Sequence, residues 1–439
     1  MLYDLSNLRR YLKDNPHLTE LTLAAAEAGM SCWLVGGALR DILLGRTVTD
    51  IDIATVGDPT SLARQWSKRQ GGNWFWLDKE RLQSRVMLGS GKFHFYFDFA
   101  PLRAASIDQD LHLRDFSINA LALPLITPLI EQTLLDPMLG LQDLQAGILK
   151  QCSGQSLTDD PLRMLKGIRH CTTLGFSIEQ ETAENMKHCA HLLANSAGER
   201  KRSEFGRIMA ADDPFSGLKR LEEFDLLKEL LGLRKIRIAD SSWIEGWTLN
   251  VTDLEVWSQR LPEIFAETFD DVFSRKSLYL IAKILRAAGA ANVEGFLLER
   301  LRFSRHSATI IAQLVRLCPD DILKLNSLPD SRRARALWLH SLGKASIDQL
   351  LYFAIIEQPG QLSPDRVVEV IENYTSLLVA GRIPPLLSGR EIKSLLPDLV
   401  DKEIGTCQDM INQAEIIGKI SSAKEAKDYL LAENSIDKI

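Results

Sequence analysis

The sequence predicts an α+β chain: a small head on a mixed or antiparallel sheet, followed by an all-helical remainder. Two observations carry this. The first roughly 150 residues hold short runs rich in β-branched and aromatic residues: "CWLVGG", "DIDIAT", "NWFWLD", "SRVMLGS" and "KFHFYFDFA". From about Asp160 onward, apolar residues recur at three-and-four spacing instead. With 439 residues, 45% of them hydrophobic, the chain can bury the cores of two or more domains.

The elements follow in order. "HLTELTLAAAEAG" reads as a helix closed by Gly29, and "GALRDILLG" as a second closed by Gly45. In "DPLRMLKGIRHCTTLGF", Asp160 is placed as N-cap, Pro161 stands at the first helical position and Gly175 is the stop. "LKRLEEFDLLKELLG", "SLYLIAKILRAAG" and "DQLLYFAIIEQPG" continue the helical pattern. The Pro/Ser/Gly-rich "AGRIPPLLSGREI", Ala380 to Ile392, marks a late linker.

Composition narrows the class. No run is long and apolar enough to span a membrane, and the N-terminus is mixed in charge, unlike a signal peptide. The six cysteines lie far apart without a CxxC, which predicts reduced, mostly buried thiols and a cytosolic compartment. The eight histidines show no HExxH or other close ligand spacing, so any metal is expected on oxygen ligands. A net charge of −6 argues against wholesale nonspecific binding of nucleic acid. Three local basic clusters remain, "GERKR" (Gly198–Arg202), "RLRFSRH" (Arg300–His306) and "DSRRAR" (Asp330–Arg335). Each taken alone reads as a solvated helix face.

The chemistry concentrates in "LVGGALRDILLGRTVTDIDIAT", Leu34 to Thr55. On a strand, Asp50 and Asp52 project from one face. Two adjacent carboxylates repel unless a cation lies between them, and Mg²⁺ is the natural partner. Asp98, an acid in an aromatic strand, is the candidate third carboxylate. Such a cluster suits two-metal phosphoryl transfer. Gly36 and Gly37 at a strand-to-helix turn let backbone N–H groups approach phosphate, and Arg40 one turn on could add a charge-assisted contact. A lone GG or a lone DxD is a weak signal; this order and spacing is much more specific.

The segment closely resembles the first motif of the class II tRNA nucleotidyltransferase and bacterial poly(A) polymerase family. "LRDFSINALAL" (Leu113–Leu123) is similar to RRDFTINAL, and "LLDPMLGLQDL" (Leu134–Leu144) to DPFGGxxDL. "TDDPLRMLKGIRH" (Thr158–His170) resembles EDPLRMLRAIRF, and "NSAGERKRSEF" (Asn195–Phe205) resembles SxERIRDEL. The resemblance covers about the first half of the chain. It implies a nucleotidyltransferase head (1–150), a helical neck (151–235), a body (236–380) and a tail (381–439). It further implies that Asp50 and Asp52 hold catalytic Mg²⁺ with Asp98 as third acid. Gly36, Gly37 and Arg40 would lie at the triphosphate, and Arg114 and Asp115 at the sugar and phosphates. Asp160 and Arg163 would read the base edge, with Lys166 beside them. That last role makes chemical sense: a donor-only guanidinium and an acceptor-only carboxylate match N3 and the amine of cytosine, or N1 and the amine of adenine. Without the resemblance, Asp160 would be a helix cap and Arg163 a surface residue. Gly140 and Asp143 read as loop architecture, and Glu199 and Arg200 as support for the neck helices.

The sequence also departs from the family. His112 and Leu113 stand where basic residues are usual, Leu139 replaces a glycine, Asp159 a glutamate and Lys166 an arginine. "FAPLRAASIDQDLHL" joins Asp98 to Arg114 without the sizeable flexible segment of members that build all of CCA. Shortened versions accompany enzymes that stop after two cytidines beside a separate A-adding partner. The expected activity is therefore template-independent addition of CMP or AMP, from CTP or ATP, to the 3′ end of tRNA, with CC addition favoured. The alternatives are a poly(A) polymerase and a non-catalytic RNA-binding relative. No HD-type metal motif is present in the helical half. Its basic clusters, "RLRFSRH" first, are the candidate grip on RNA.

Overall fold

Alternating burial along the head's short runs produces a six-stranded sheet. The computed structural model describes residues 5–90, 93–129, 133–232, 256–379, 383, 385–397 and 399–436. It divides into two units, Met1–Gly232 and Leu233–Ile439. The expected boundary at 235/236 lies outside the described residues, as do 380–382 and 384 of the expected linker.

The first unit opens with α1 (Ser6–Asp14), α2 (Pro16–Glu27), β1 (Cys32–Val35), α3 (Gly37–Leu43), β2 (Asp50–Thr55) and α4 (Thr60–Arg69). The strands β3 (Asn73–Asp78), β4 (Gln83–Ser90) and β5 (Phe93–Pro101) follow, then α5 (Ile107–His112) and β6 (Ala122–Pro124). The order across the sheet is β3-β4-β5-β2-β1-β6. Only β2 and β5 pair in parallel; the other pairs within this sheet are antiparallel. The sheet is mixed, as expected.

One face is sealed by helices. Leu8 and Leu12 of α1, Leu18 and Leu21 of α2, Leu39 and Ile42 of α3, and Trp66 of α4 pack in one core with Ile51, Ile53, Val86, Leu88, Phe97 and Phe99. Trp66 meets the Phe97 ring edge-on at 4.8 Å. Each such side chain contributes about 1.5–3 kcal/mol on burial. Because Ile51 and Ile53 face this core, strand alternation turns Asp50 and Asp52 to the other face.

Beyond the sheet come α6 (Gly140–Ala146), β7 (Ile148–Leu149), α7 (Ser156–Asp159), α8 (Leu162–Leu174), β8 (Ser177–Ile178), α9 (Gln180–Cys189), α10 (Gly198–Met209), α11 (Pro214–Glu223) and α12 (Leu226–Leu231). Gly175 ends α8 in the left-handed conformation, as expected. The helix starts one residue later than expected, with Pro161 in the cap position, but Asp160 still reaches it: its Oδ1 accepts the Leu162 N–H at 3.3 Å. "LKRLEEFDLLKELLG" is two helices rather than one, broken where Asp225 takes φ +57°.

Among its described residues the second unit is almost wholly helical, including Arg275–Ala287, Arg305–Val315, Arg332–Ser341, Pro364–Val379 and Asp401–Ile416. The helix Ser346–Tyr352 of "DQLLYFAIIEQPG" runs on into a π-turn, Phe353–Glu357. Its polar anchor is buried: Arg275 pairs with Asp348, which also accepts the Tyr279 hydroxyl at 3.0 Å. No helix among the described residues is long and apolar enough to cross a membrane.

The turn before α6 carries a testable strain. Leu139, where relatives of the motif have glycine, sits at φ +58° with its side chain exposed. Replacement by glycine removes the Cβ clash and little packing. Leu139→Gly should therefore stabilise the first unit by about 1 kcal/mol. At the next residue a Cβ would meet the Ser117 carbonyl oxygen at 2.1 Å. Gly140→Ala should cost about 1–3 kcal/mol. Urea unfolding of the two variants should move in opposite directions.

Candidate active site

The parallel register of β2 and β5 sets Asp52 directly against Asp98, and Asp50 against Tyr96. One strand further, β4 places Arg85 against Asp98. The Arg85 guanidinium forks onto that carboxylate, Nε to Oδ1 at 2.6 Å and Nη2 to Oδ2 at 2.8 Å. It also lies 5.0 Å from the Tyr96 ring centroid and 3.9 Å from Asp50. Asp98 is thus neutralised by an arginine. Among the described residues no three His, Cys, Asp or Glu side chains converge closely enough to enclose an ion. Of the three expected carboxylates, Asp52 and Asp98 stand opposite each other across β2 and β5, Asp50 lies two residues along β2, and Asp98 is tied to Arg85.

Asp52 carries the consequence. Its carboxyl opens onto cavity water yet is surrounded by protein. Burial and then the Asp98 carboxylate push it up to about 6, against the opposing Arg114 guanidinium. Asp50 adds to the same repulsion. A hard divalent cation would relieve this excess. Such an ion needs only one or two protein carboxylates when phosphate and water complete its shell.

A cavity of about 500 Å³ lies beside the acids, its wall including Gly36, Gly37, Asp52, Asp98, Arg114, Asp115, Asp160, Arg163 and Lys166. Gly36 needs its missing side chain: φ is +78°, and a Cβ would stand 3.1 Å from both Asp52 Oδ2 and Arg114 Nη1. Arg114 donates through Nε and Nη2 to Asp110 Oδ2, at 3.3 and 3.0 Å. Asp115 accepts from the Phe116 N–H at 2.8 Å and from Asn119 Nδ2 at 3.1 Å.

Arg40 is not in this wall. Its side chain is 9% exposed, forked onto Asp41, and its Nη1 donates to Asn119 Oδ1 at 2.6 Å. The residue expected at phosphate instead packs behind Gly37 and ties α3 to the Asn119 that also holds Asp115. Next to it His170 is fully buried, and burial holds its imidazole well below the usual histidine range.

Arg163 and Asp160 are both held from outside the cavity. Arg163 Nη1 donates to Ser156 Oγ at 2.8 Å and its Nη2 to the Leu113 carbonyl at 2.9 Å. Arg200 Nη2 donates to Asp160 Oδ2 at 2.9 Å. Arg200 therefore supports the neck, as expected, but does so at the carboxylate assigned to the base edge. Lys166 is half-buried in the same wall. Gly140 and Asp143, expected in a loop, lie in α6, where Asp143 accepts the Ser117 hydroxyl at 2.5 Å.

Sequence reasoning missed Arg85, Arg103 and Asp110. Arg85 becomes conspicuous only once strand register pairs it with Asp98. Arg103 and Asp110 lie in the link treated as a mere shortening, yet both line the cavity.

The Asp52 shift has a direction that can be checked. A carboxyl raised to about 6 must lose its proton for a cation to bind, so affinity should fall as pH drops through that value. Calorimetric titration of Mg²⁺ or Mn²⁺ between pH 5 and 8 should show weakening toward acid. Asp52→Asn should bind weakly at every pH.

Comparison with known proteins agrees with this geometry. Residues 32–150 match the "Poly A polymerase head domain", and residues 175–233 the "Probable RNA and SrmB- binding site of polymerase A". The CC-adding tRNA nucleotidyltransferase of Geobacter sulfurreducens is 29% identical over 92% of this chain and 93% of its own. The A-adding tRNA nucleotidyltransferase of Deinococcus radiodurans is 28% identical over 90% and 94%. The CCA-adding enzyme of Bacillus pumilus is 31% identical over 60% and 67%. A CCA-adding enzyme solved with CTP shares the fold, with a TM-score of 0.69 at 24% identity over 99% of both chains. The chain belongs to the family of class II tRNA nucleotidyltransferases and bacterial poly(A) polymerases.

Proposed function

We propose that this chain works in the cytoplasm, extends the 3′ end of tRNA with cytidylate from CTP, and stops after two additions. The observation that carries the reading is the composition of one cavity. Its wall combines the acids Asp52 and Asp98, the glycine turn, and an anchored acceptor–donor pair, Asp160 and Arg163. Asp50 and Asp52 would hold Mg²⁺, whose chemistry there is activation of the RNA 3′-hydroxyl and stabilisation of departing pyrophosphate. Asp98, fixed by Arg85, would stand beside that pair as the third acid. The turn at Gly36 and Gly37 gives the triphosphate close approach to backbone N–H groups, and Arg114 supplies charge. Arg163 donates to N3 of cytosine while Asp160 accepts from its amine. Uracil offers the reverse pattern and is refused. Because Ser156 and Arg200 hold these two side chains, recognition does not depend on a nucleic-acid template.

CC addition is favoured over complete CCA synthesis by the short link between Asp98 and Arg114. The CC-adding relative of near-full coverage supports it too, although an A-adding relative covers the chain equally well. A separate enzyme would then complete the tail. The deciding experiment supplies Mg²⁺ and CTP, ATP or both to tRNA lacking CCA and to tRNAs ending in C and CC, with products resolved to one nucleotide. Stopping at CC with ATP present is the expected result. Extension only of the CC-ended tRNA would make this the A-adding partner, full CCA would refute the link argument, and a long A-tail would indicate a poly(A) polymerase.

Of the three basic clusters, "RLRFSRH" is the candidate grip on RNA. In "DSRRAR", Arg333 pairs with Glu415 and Arg335 with Glu369 and Asp330. In "GERKR", Arg200 serves Asp160, and Lys201 is buried with Nζ 3.4 Å from the Ala194 carbonyl. Arg300, Arg302 and Arg305 stand exposed between the buried Leu301 and Phe303. Arg300→Glu with Arg305→Glu should raise KM for tRNA at least tenfold and leave KM for CTP within twofold. The increase should shrink at high salt in the parent comparison, as backbone contacts require.

A further inference from the structure

Five acidic and four basic side chains line the cavity, an unpromising balance for a polyanionic triphosphate. Two of the four cations are committed elsewhere in part: Arg163 to backbone carbonyls and Ser156, and Arg114 to Asp110. The position where relatives of the RRD motif carry a further arginine is Leu113, whose side chain is exposed and uncharged. Of the other two cations, Lys166 and Arg103, Arg103 comes from an unexpected place.

Arg103 leaves the end of β5 and lines the cavity with its side chain 48% exposed. Its Nε donates to Asp110 Oδ1 at 3.0 Å, its Nη2 to Oδ2 at 3.3 Å, and its backbone N–H to Oδ1 at 3.0 Å. Asp110 is only 2% exposed and accepts from Arg114 as well, through the same Oδ2. One buried carboxylate therefore fixes two guanidinium groups side by side. Arg114 Nη1 lies beside Gly36 and Asp52, and Arg103 Nη1 takes no part in the bonds to Asp110. Two arginines against one carboxylate leave this trio of the cavity wall with a net positive charge. A planar guanidinium held by one edge presents the remaining N–H groups in a fixed direction, which suits phosphate oxygens.

We infer that Arg103 is a phosphate-binding residue of the nucleotide site, paired with Arg114 across Asp110 and standing in for the arginine absent at Leu113. This rests on the nucleotide-transfer reading above, and it specifies which part of the nucleotide Arg103 touches. The polyphosphate is its ligand; the base and ribose are not.

The test is equilibrium binding in the presence of Mg²⁺, with CTP, CMP and inorganic pyrophosphate as probes, on the full chain and its Arg103→Gln and Arg103→Lys variants. Arg103→Gln should weaken pyrophosphate and CTP at least tenfold and leave CMP within twofold. Arg103→Lys, keeping charge without the fork, should fall between. Equal loss for all three probes would reduce Arg103 to a wall support, and an unchanged pyrophosphate affinity would overturn the inference outright. Should the glutamine variant fail to fold by circular dichroism, the lysine variant decides by the same ratio of pyrophosphate to CMP. A parent chain that binds neither CTP nor pyrophosphate would defeat the nucleotide-transfer reading itself, a result distinct from any selective loss in the variants.

Discussion

The parallel pairing of β2 with β5 is the constraint on which the site depends. Its register puts Asp52 against Asp98 while Ile51 and Ile53 face the helical core. A slip of one residue would drive both aspartates into that core and expose the isoleucines, at a cost of several kcal/mol. Burial of apolar surface, a force without chemical specificity, thus fixes the catalytic geometry. The edge strands need no such rigour. Phe75 and Leu77 on β3 stay exposed without disturbing the acids.

Charge is then distributed by arginines that each take one acid. Arg85 takes Asp98, Arg103 and Arg114 share Asp110, and Arg200 takes Asp160. Burial and unequal pairing leave Asp52 raised beside an exposed Asp50. A site meant for a cation must keep some carboxylate charge uncompensated by protein, because a full set of internal ion pairs would leave the ion nothing to neutralise. The arginines set where that deficit lies.

Much of this was legible in the sequence, for identifiable reasons. Strand alternation makes the shared face of Asp50 and Asp52 readable from spacing alone, and Gly29, Gly45 and Gly175 mark helix ends because a left-handed residue is needed there. Arg40 was misplaced because spacing within α3 says only which turn a residue occupies. It does not say that Asp41 and Asn119 would claim the guanidinium. Arg85 was invisible because its meaning comes from a register across three strands. The basic clusters looked alike as strings, and only the structure shows that Arg333 and Arg335 of "DSRRAR" serve ion pairs while Arg300 and Arg305 of "RLRFSRH" stand exposed.

The link from Asp98 to Arg114 bears most directly on which nucleotide is added. A pocket that changes preference from one base to another needs a wall that can move. Here that wall is pinned along its length. The Leu102 N–H bonds to the Thr55 carbonyl at 2.8 Å, Ser106 caps α5, and Leu111 is fully buried. Asp110 holds both ends of the segment through Arg103 and Arg114. Releasing it would expose a buried carboxylate and break several charge-assisted bonds, each worth about 1.5–3 kcal/mol. A link this short and this anchored favours a pocket committed to one base edge, and Arg163, held by the Leu113 carbonyl at the end of the same segment, inherits that rigidity.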